Sequence, residues 1–179
     1  MTRTSARVAL MGLSGGLSVV ILLLTAFPTA NIALAALAAL TALPTVIELG
    51  KKSALLQYVA TALLALLVVP DLEGKALYIA FFGYYTVLKA AIEGRRWPVW
   101  AEWALKLAVF NAAVLAAYGV MLAFIGLPAD SFTIGGVSLP WVFLLAGNVV
   151  FVLYDRAVTG LVLHYLRRWQ RPLRRMLKL

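Results

Sequence analysis

Long apolar runs fill most of this chain, and short groups of proline, glycine and charge punctuate them. A helix that crosses the hydrocarbon core of a bilayer needs roughly 20 mostly apolar residues. Such runs fall at residues 7–26, 31–49, 54–69, 75–92, 100–125 and 137–166. Their boundaries are set by Pro28, by Gly50-Lys51-Lys52, by Pro70-Asp71, by Glu93-Gly94-Arg95-Arg96 and by Gly126-Leu127-Pro128. Pro44 lies inside the second run; its missing N–H and its ring predict a kink there. The sixth run is long enough to tilt or to project past the membrane. The pattern predicts an all-α fold, a polytopic membrane bundle of about six transmembrane helices. Residues 1–166 form the transmembrane domain and residues 167–179 a basic tail, which Pro172 keeps from being one continuous helix.

Composition makes lipid the expected solvent. The chain is 64% hydrophobic and 13% charged, with a mean hydropathy of +0.96; a soluble domain carries about 25% charge. No cleaved leader is expected, because the first apolar run is long and no small-residue cleavage site leads into a polar domain. Cysteine is absent and there is one histidine, which excludes a disulfide, a thiolate nucleophile and a Cys- or His-rich metal site. No metal and no cofactor is expected.

Charge then orients the helices. Basic residues collect on the cytoplasmic side of membrane proteins. With the amino end inside, the loops at Lys51-Lys52 and Arg95-Arg96 and the tail all fall inside, while Pro28, Asp71 to Lys75 and Asp130 fall outside. Of the 16 basic residues, all but Lys75, Lys106 and Arg156 lie on the inner side. Both ends are therefore expected in the cytoplasm of a bacterium, with the chain in its cytoplasmic membrane. The tail, with Trp169, Leu173, Met176 and Leu177 among its arginines, is expected to lie on anionic lipid. Nucleic acid is not an expected partner, because no binding module accompanies the basic run.

Ionisable residues inside spans are costly and mark candidate sites. Here they sit in the inner third: Glu48, Lys89, Glu93, Glu102, Lys106, Asp155 and Arg156. Helical spacing pairs Glu102 with Lys106 and Lys89 with Glu93, and Glu48 can reach Lys51 or Lys52. Asp155 and Arg156 point about 100° apart and cannot simply pair with each other, so at least one is expected to face the bundle or a partner. The outer half holds uncharged groups instead. Tyr78, Phe81, Phe82 and Tyr85 share one helix face by i, i+3, i+4, i+7 spacing, and Asn111 and Asn148 fall near mid-depth. Asn31, Tyr118 and Trp141 add to this set. One reading is interhelical glue plus an aromatic belt. The other is an outward pocket for an uncharged or amphipathic small molecule, lined by Tyr78, Phe82, Tyr85, Asn111, Tyr118 and Asn148.

The first span carries small residues at helical spacing, Gly12 with Gly16 and Ser14 with Ser18, and the second is rich in alanine. Such residues let helices approach closely, within the chain or against another subunit. Gly12-Leu13-Ser14-Gly15 also has the G-x-S-G form of intramembrane rhomboid proteases, with His164 as a conceivable base. The serine lies in the wrong span and near the cytoplasmic side, so no enzyme is expected.

The stretch Arg7-Val-Ala-Leu-Met-Gly-Leu-Ser-Gly-Gly-Leu-Ser-Val-Val-Ile21, an alanine-rich second span, a short basic inner turn and a third span ending at Pro70 resemble the substrate-binding S components of energy-coupling factor transporters. The resemblance implies a six-span subunit that captures a vitamin-like molecule at the outer face and docks to a transmembrane scaffold driven by ATPases. It implies docking through Ala9, Gly12 and Gly16, with Ser5 on the same helix. Asp155 and Arg156 are further docking candidates from their charge. The alternative is an accessory or structural membrane subunit that works through its cytoplasmic charged cluster and basic tail.

Overall fold

The computed structural model describes residues 3–27, 30–95, 97–125, 133–134, 137–138 and 140–177. Pro28, Arg96, Gly126, Leu127, Pro128, Asp130 and Lys178 of the sequence reading lie outside them, as do the side chains of Arg3, Trp141, Met176 and Leu177. The described residues are overwhelmingly helical. Helix α1 spans Arg3–Leu23 and runs on into a 3-10 turn, Leu24–Ala26. It is followed by α2 (Asn31–Leu40), α3 (Leu43–Leu49) and α4 (Lys51–Val68). Then come α5 (Leu72–Leu77), a wide π turn (Tyr78–Phe82) and α6 (Gly83–Glu93). The chain continues through α7 (Val99–Ile125), α8 (Pro140–His164), a second π turn (Tyr165–Trp169) and α9 (Gln170–Leu177).

Among the described residues, five helices are long and apolar enough to cross a membrane: Thr4–Ala26, Asn31–Leu49, Lys51–Val68, Val99–Gly119 and Leu144–Arg175. Residues 72–93 form a further unbroken helical run, which the π turn divides. The surface is what a lipid solvent selects. Leu67 is 83% exposed and Leu13 76%, while Ser14, Ser18, Thr25, Thr45, Gln57 and Thr61 are buried. In hydrocarbon, hydrogen-bonding groups must turn inward to find partners.

Sequence and structure differ at two places and agree at a third. The sixth apolar run was drawn from residue 137, but Val137–Ser138 pairs antiparallel with Thr133–Ile134 in a minimal ribbon, β1 and β2, and the helix begins at Pro140. Pro172 does not end the tail helix. Residues 140–177 are continuously helical, and the π turn at Tyr165–Trp169 lies just upstream of the proline. Pro172 cannot donate to the carbonyl of Arg168 and its ring crowds it, so a wider turn relieves the clash without breaking the helix. At Pro44 the expected kink is present. Thr41 and Ala42 leave the α-helix between α2 and α3, and their N–H groups fall back on Ala38 and Ala39 carbonyls at 3.3 Å.

The chain forms two compact units, residues 1–97 with 158–179, and residues 98–157. In the first, α1 packs on α2, α3 and α4, and α4 and α2 pack on α6. Gly50 alone joins α3 to α4, at φ +85°, a left-handed conformation that glycine adopts without strain. In the second unit, α7 lies antiparallel to the amino-terminal part of α8, as the paired residues below show.

Candidate functional site

Four sets of polar or aromatic groups stand out, three in the first unit and one in the second. In the first unit, Ser14 Oγ donates to the Leu10 carbonyl at 2.7 Å and lies 3.2 Å from Thr45 Oγ1 and 3.0 Å from Gln57 Oε1. One turn on, Ser18 Oγ donates to the Ala38 carbonyl at 2.8 Å and sits 3.3 Å from the Tyr78 hydroxyl. These bonds tie α1 to α2, α3, α4 and the π turn.

The π turn sits within the aromatic face that helical spacing drew. Tyr78, Phe81, Phe82 and Tyr85 are all buried. Phe81 packs edge-on to Phe82 at 5.4 Å and lies 5.0 Å from Tyr85. Widening the helix closes an i→i+5 bond from Gly83 N–H to the Tyr78 carbonyl and disturbs the regular ladder. The Tyr58 hydroxyl, from α4, donates to the Ile79 carbonyl at 2.7 Å. Its ring occupies the space beside Gly83, where a Cβ would come within 2.6 Å of it.

At the opposite end of this unit the charged groups gather. The Glu48 side chain is only 1% exposed, and Arg174 Nε donates to it at 2.6 Å. The Tyr165 hydroxyl donates to its other oxygen at 3.3 Å. This corrects the expected pairing of Glu48 with Lys51 or Lys52: both lysines point outward, and the partner comes from the tail. Lys51 Nζ would lie 3.9 Å from a Cβ at Gly94, so the turn at Gly50 and the turn at Gly94 adjoin. Buried Lys89 meets Glu93 at 2.7 Å, as their spacing requires. Arg95 lies 5.3 Å over the Trp97 ring.

In the second unit, α7 and α8 meet rung by rung. Lys106 Nζ reaches Asp155 Oδ1 at 3.2 Å, with both side chains under 5% exposed. The spacing-based reading paired Lys106 with Glu102; its bond to Asp155 across the helices answers instead how Asp155 is neutralised. Arg156 is exposed and lies 5.7 Å over Trp103, which Lys106 also faces at 5.2 Å. Next, Phe110 and Phe151 stack at 4.7 Å. Then Asn111 and Asn148 exchange two hydrogen bonds, at 3.0 and 2.9 Å, and each also donates to the carbonyl one turn before it in its own helix.

Comparison with protein-family models, with curated proteins and with solved structures gives no match. The site therefore rests on this geometry. Of the residues drawn into one outer pocket, Tyr78, Phe82 and Tyr85 belong to the first unit, and Asn111, half-buried Tyr118 and Asn148 to the second. The two amides spend their groups on each other. Asp155 faces inward on Lys106, which leaves Arg156 as the outward member of that pair. Ala9, Gly12 and Gly16 all lie on the exposed face of α1. Among the described residues no cluster of three or more metal-ligating side chains occurs. Sequence reasoning passed over Gln57, Tyr58 and Arg174. Gln57 carried a usable signal, as the one carboxamide in the otherwise apolar run 54–69.

Proposed function

We propose that this chain is a multi-pass membrane subunit with six crossings and both ends in the cytoplasm of a bacterium. It works by assembly, not catalysis, and holds a basic cytoplasmic face in fixed geometry against anionic lipid headgroups. The observation that carries this reading is the grip of Arg174 and Tyr165 on buried Glu48. It fastens the tail to the turn that bears Lys51 and Lys52, and the Arg95 turn adjoins it. Arg167, Arg168, Arg171 and Arg175 are all exposed; clustered basic residues next to a membrane attract anionic lipid by about 1 kcal/mol each. The Ser14 and Ser18 hydroxyls and the Gln57, Asn111 and Asn148 carboxamides bond from one helix to another, which suits a structural part.

The chain has no cysteine, so single-cysteine labelling tests the reading directly. Lys51→Cys, Arg95→Cys and Arg171→Cys should react from the cytoplasmic side, and Phe27→Cys and Leu72→Cys from the other. Labelling of Lys51→Cys and Arg95→Cys from opposite sides would overturn the arrangement. Native mass spectrometry from bilayers of phosphatidylglycerol and phosphatidylcholine tests the lipid contact: Glu48→Gln should lose retained phosphatidylglycerol.

A second reading has one observation in its favour. The π turn lies within the buried aromatic face, and π turns recur at functional sites. That supports a substrate-capturing subunit of the kind the sequence resembles, with Tyr78, Phe82 and Tyr85 around its ligand. A small molecule that leaves the gently extracted protein with a defined mass, and is lost in Tyr78→Leu, would establish it.

A further inference from the structure

In the second unit, Arg156 stands exposed on α8 among apolar neighbours. Among the described residues it forms no ion pair. Its guanidinium lies 5.7 Å over the Trp103 ring instead. Asp155 is spent on Lys106. Glu102 precedes Trp103 on α7, where successive side chains point about 100° apart, and it too forms no ion pair among the described residues. A guanidinium beside hydrocarbon is costly until an anion meets it.

The depth of this group says which anion can reach it. Trp103 is the fifth residue of α7, which begins at Val99. At 1.5 Å per residue it lies roughly 6 Å from that end of the helix, and the contact with Trp103 holds Arg156 at the same level. Trp100, one turn nearer the end, is 75% exposed, and tryptophan gathers where hydrocarbon meets headgroups. The long arginine stem spans such a distance, so a headgroup phosphate is within reach.

An apolar track leads to the same point. Val149, Leu153 and Arg156 share one face of α8 by i, i+4, i+7 spacing, and Val149 and Leu153 are 62% and 65% exposed. A track of this kind that ends in a guanidinium matches a molecule with a hydrocarbon tail and a phosphate head. Arginine holds phosphate by paired, charge-assisted hydrogen bonds. Stacking on an aromatic ring leaves its N–H edge free to make them.

We propose that Arg156 and Trp103, with Val149 and Leu153, form a discrete site for one phospholipid. The phosphate meets Arg156, and an acyl chain lies along Val149 and Leu153. Phosphatidylglycerol suits the site better than phosphatidylcholine, whose quaternary ammonium brings a second cation beside Arg156. The site goes beyond the tail surface and does not rest on it, because it lies in the other unit and phosphates border both leaflets.

Native mass spectrometry of the full chain, released from bilayers of phosphatidylglycerol and phosphatidylcholine, tests the site. In Glu48→Gln, one phosphatidylglycerol per chain should stay bound. Adding Arg156→Gln should weaken its retention roughly fivefold or more while leaving the helical content unchanged. Arg156→Lys, which keeps the charge but not the planar fork, should fall between the two. Trp103→Leu should weaken retention to a smaller degree, and Lys52→Gln should have no effect. Retention indifferent to Arg156→Gln would overturn the proposal, even if Glu48→Gln alone sheds lipid and the tail reading stands. The reverse pattern, loss in Arg156→Gln but none in Glu48→Gln, would support this site and count against the tail. Phosphatidylcholine held as firmly as phosphatidylglycerol would overturn the site as drawn. So would an unchanged lipid count with a second copy of the chain lost in Arg156→Gln, which would give the guanidinium to a protein carboxylate.

Discussion

Lys106 and Asp155 neutralise each other at 3.2 Å between two antiparallel helices, with both side chains almost wholly shielded from the surroundings. Removing one partner strands the other, which costs about 3–5 kcal/mol for a buried pair. Lys106→Met and Asp155→Leu should each destabilise the protein by that order in equilibrium unfolding from mixed micelles. The double variant should recover most of the loss, because an apolar pair of similar volume often replaces a buried ion pair without penalty. A double variant no better than the worse single one would show that each group has a separate task.

Gly83 gives a second test. A methyl group there meets the Tyr58 ring at 2.6 and 2.7 Å and Tyr78 at 2.8 Å. Gly83→Ala should cost about 1–3 kcal/mol through overpacking. Tyr58→Leu, which clears the ring, should make the alanine cheaper, giving a coupling energy in a double-mutant cycle. Tyr58→Phe keeps the ring but leaves the Ile79 carbonyl without its donor, and should cost about 1–3 kcal/mol.

These two sites mark where sequence reasoning reaches and where it stops. The helices were legible because lipid demands long apolar runs, and Pro44 was legible because its effect is local. The partners of the buried charges were not. Glu48 finds Arg174 at a separation of 126 residues, and Lys106 finds Asp155 49 residues away, whereas spacing rules see only the next turn of the same helix. The π turn at Tyr78–Phe82 was also hidden, because the phenol that bonds to its Ile79 carbonyl comes from α4, 21 residues away.

The tail latch predicts a local change. Arg174→Ala leaves buried Glu48 with Tyr165 alone and should loosen α9. Amide hydrogen exchange over residues 166–177 should accelerate, and trypsin should cut sooner at Arg167, Arg168 and Arg171. Lys52→Ala, a change at an outward-facing side chain, should alter neither. Equal protection in Arg174→Ala and the wild type would show that the contact does not hold the tail.

The amide pair predicts that a double replacement recovers much of what a single one loses. Asn111→Leu leaves Asn148 without its partner and should cost about 1–2 kcal/mol, the upper range for interhelical bonds in membranes. Asn111→Leu with Asn148→Leu removes both demands and should lie closer to the wild type in unfolding. If the double loss equals the sum of the singles, the two residues act independently.

Gly50, a lone residue between two helices, has a mechanical consequence. A longer connection would store slack and let α3 and α4 slide independently. One residue stores none, so an axial push on either helix is delivered to the other. Glu48 is two positions from that joint, so any force drawing on the Arg174 contact arrives at both shafts of the hairpin together.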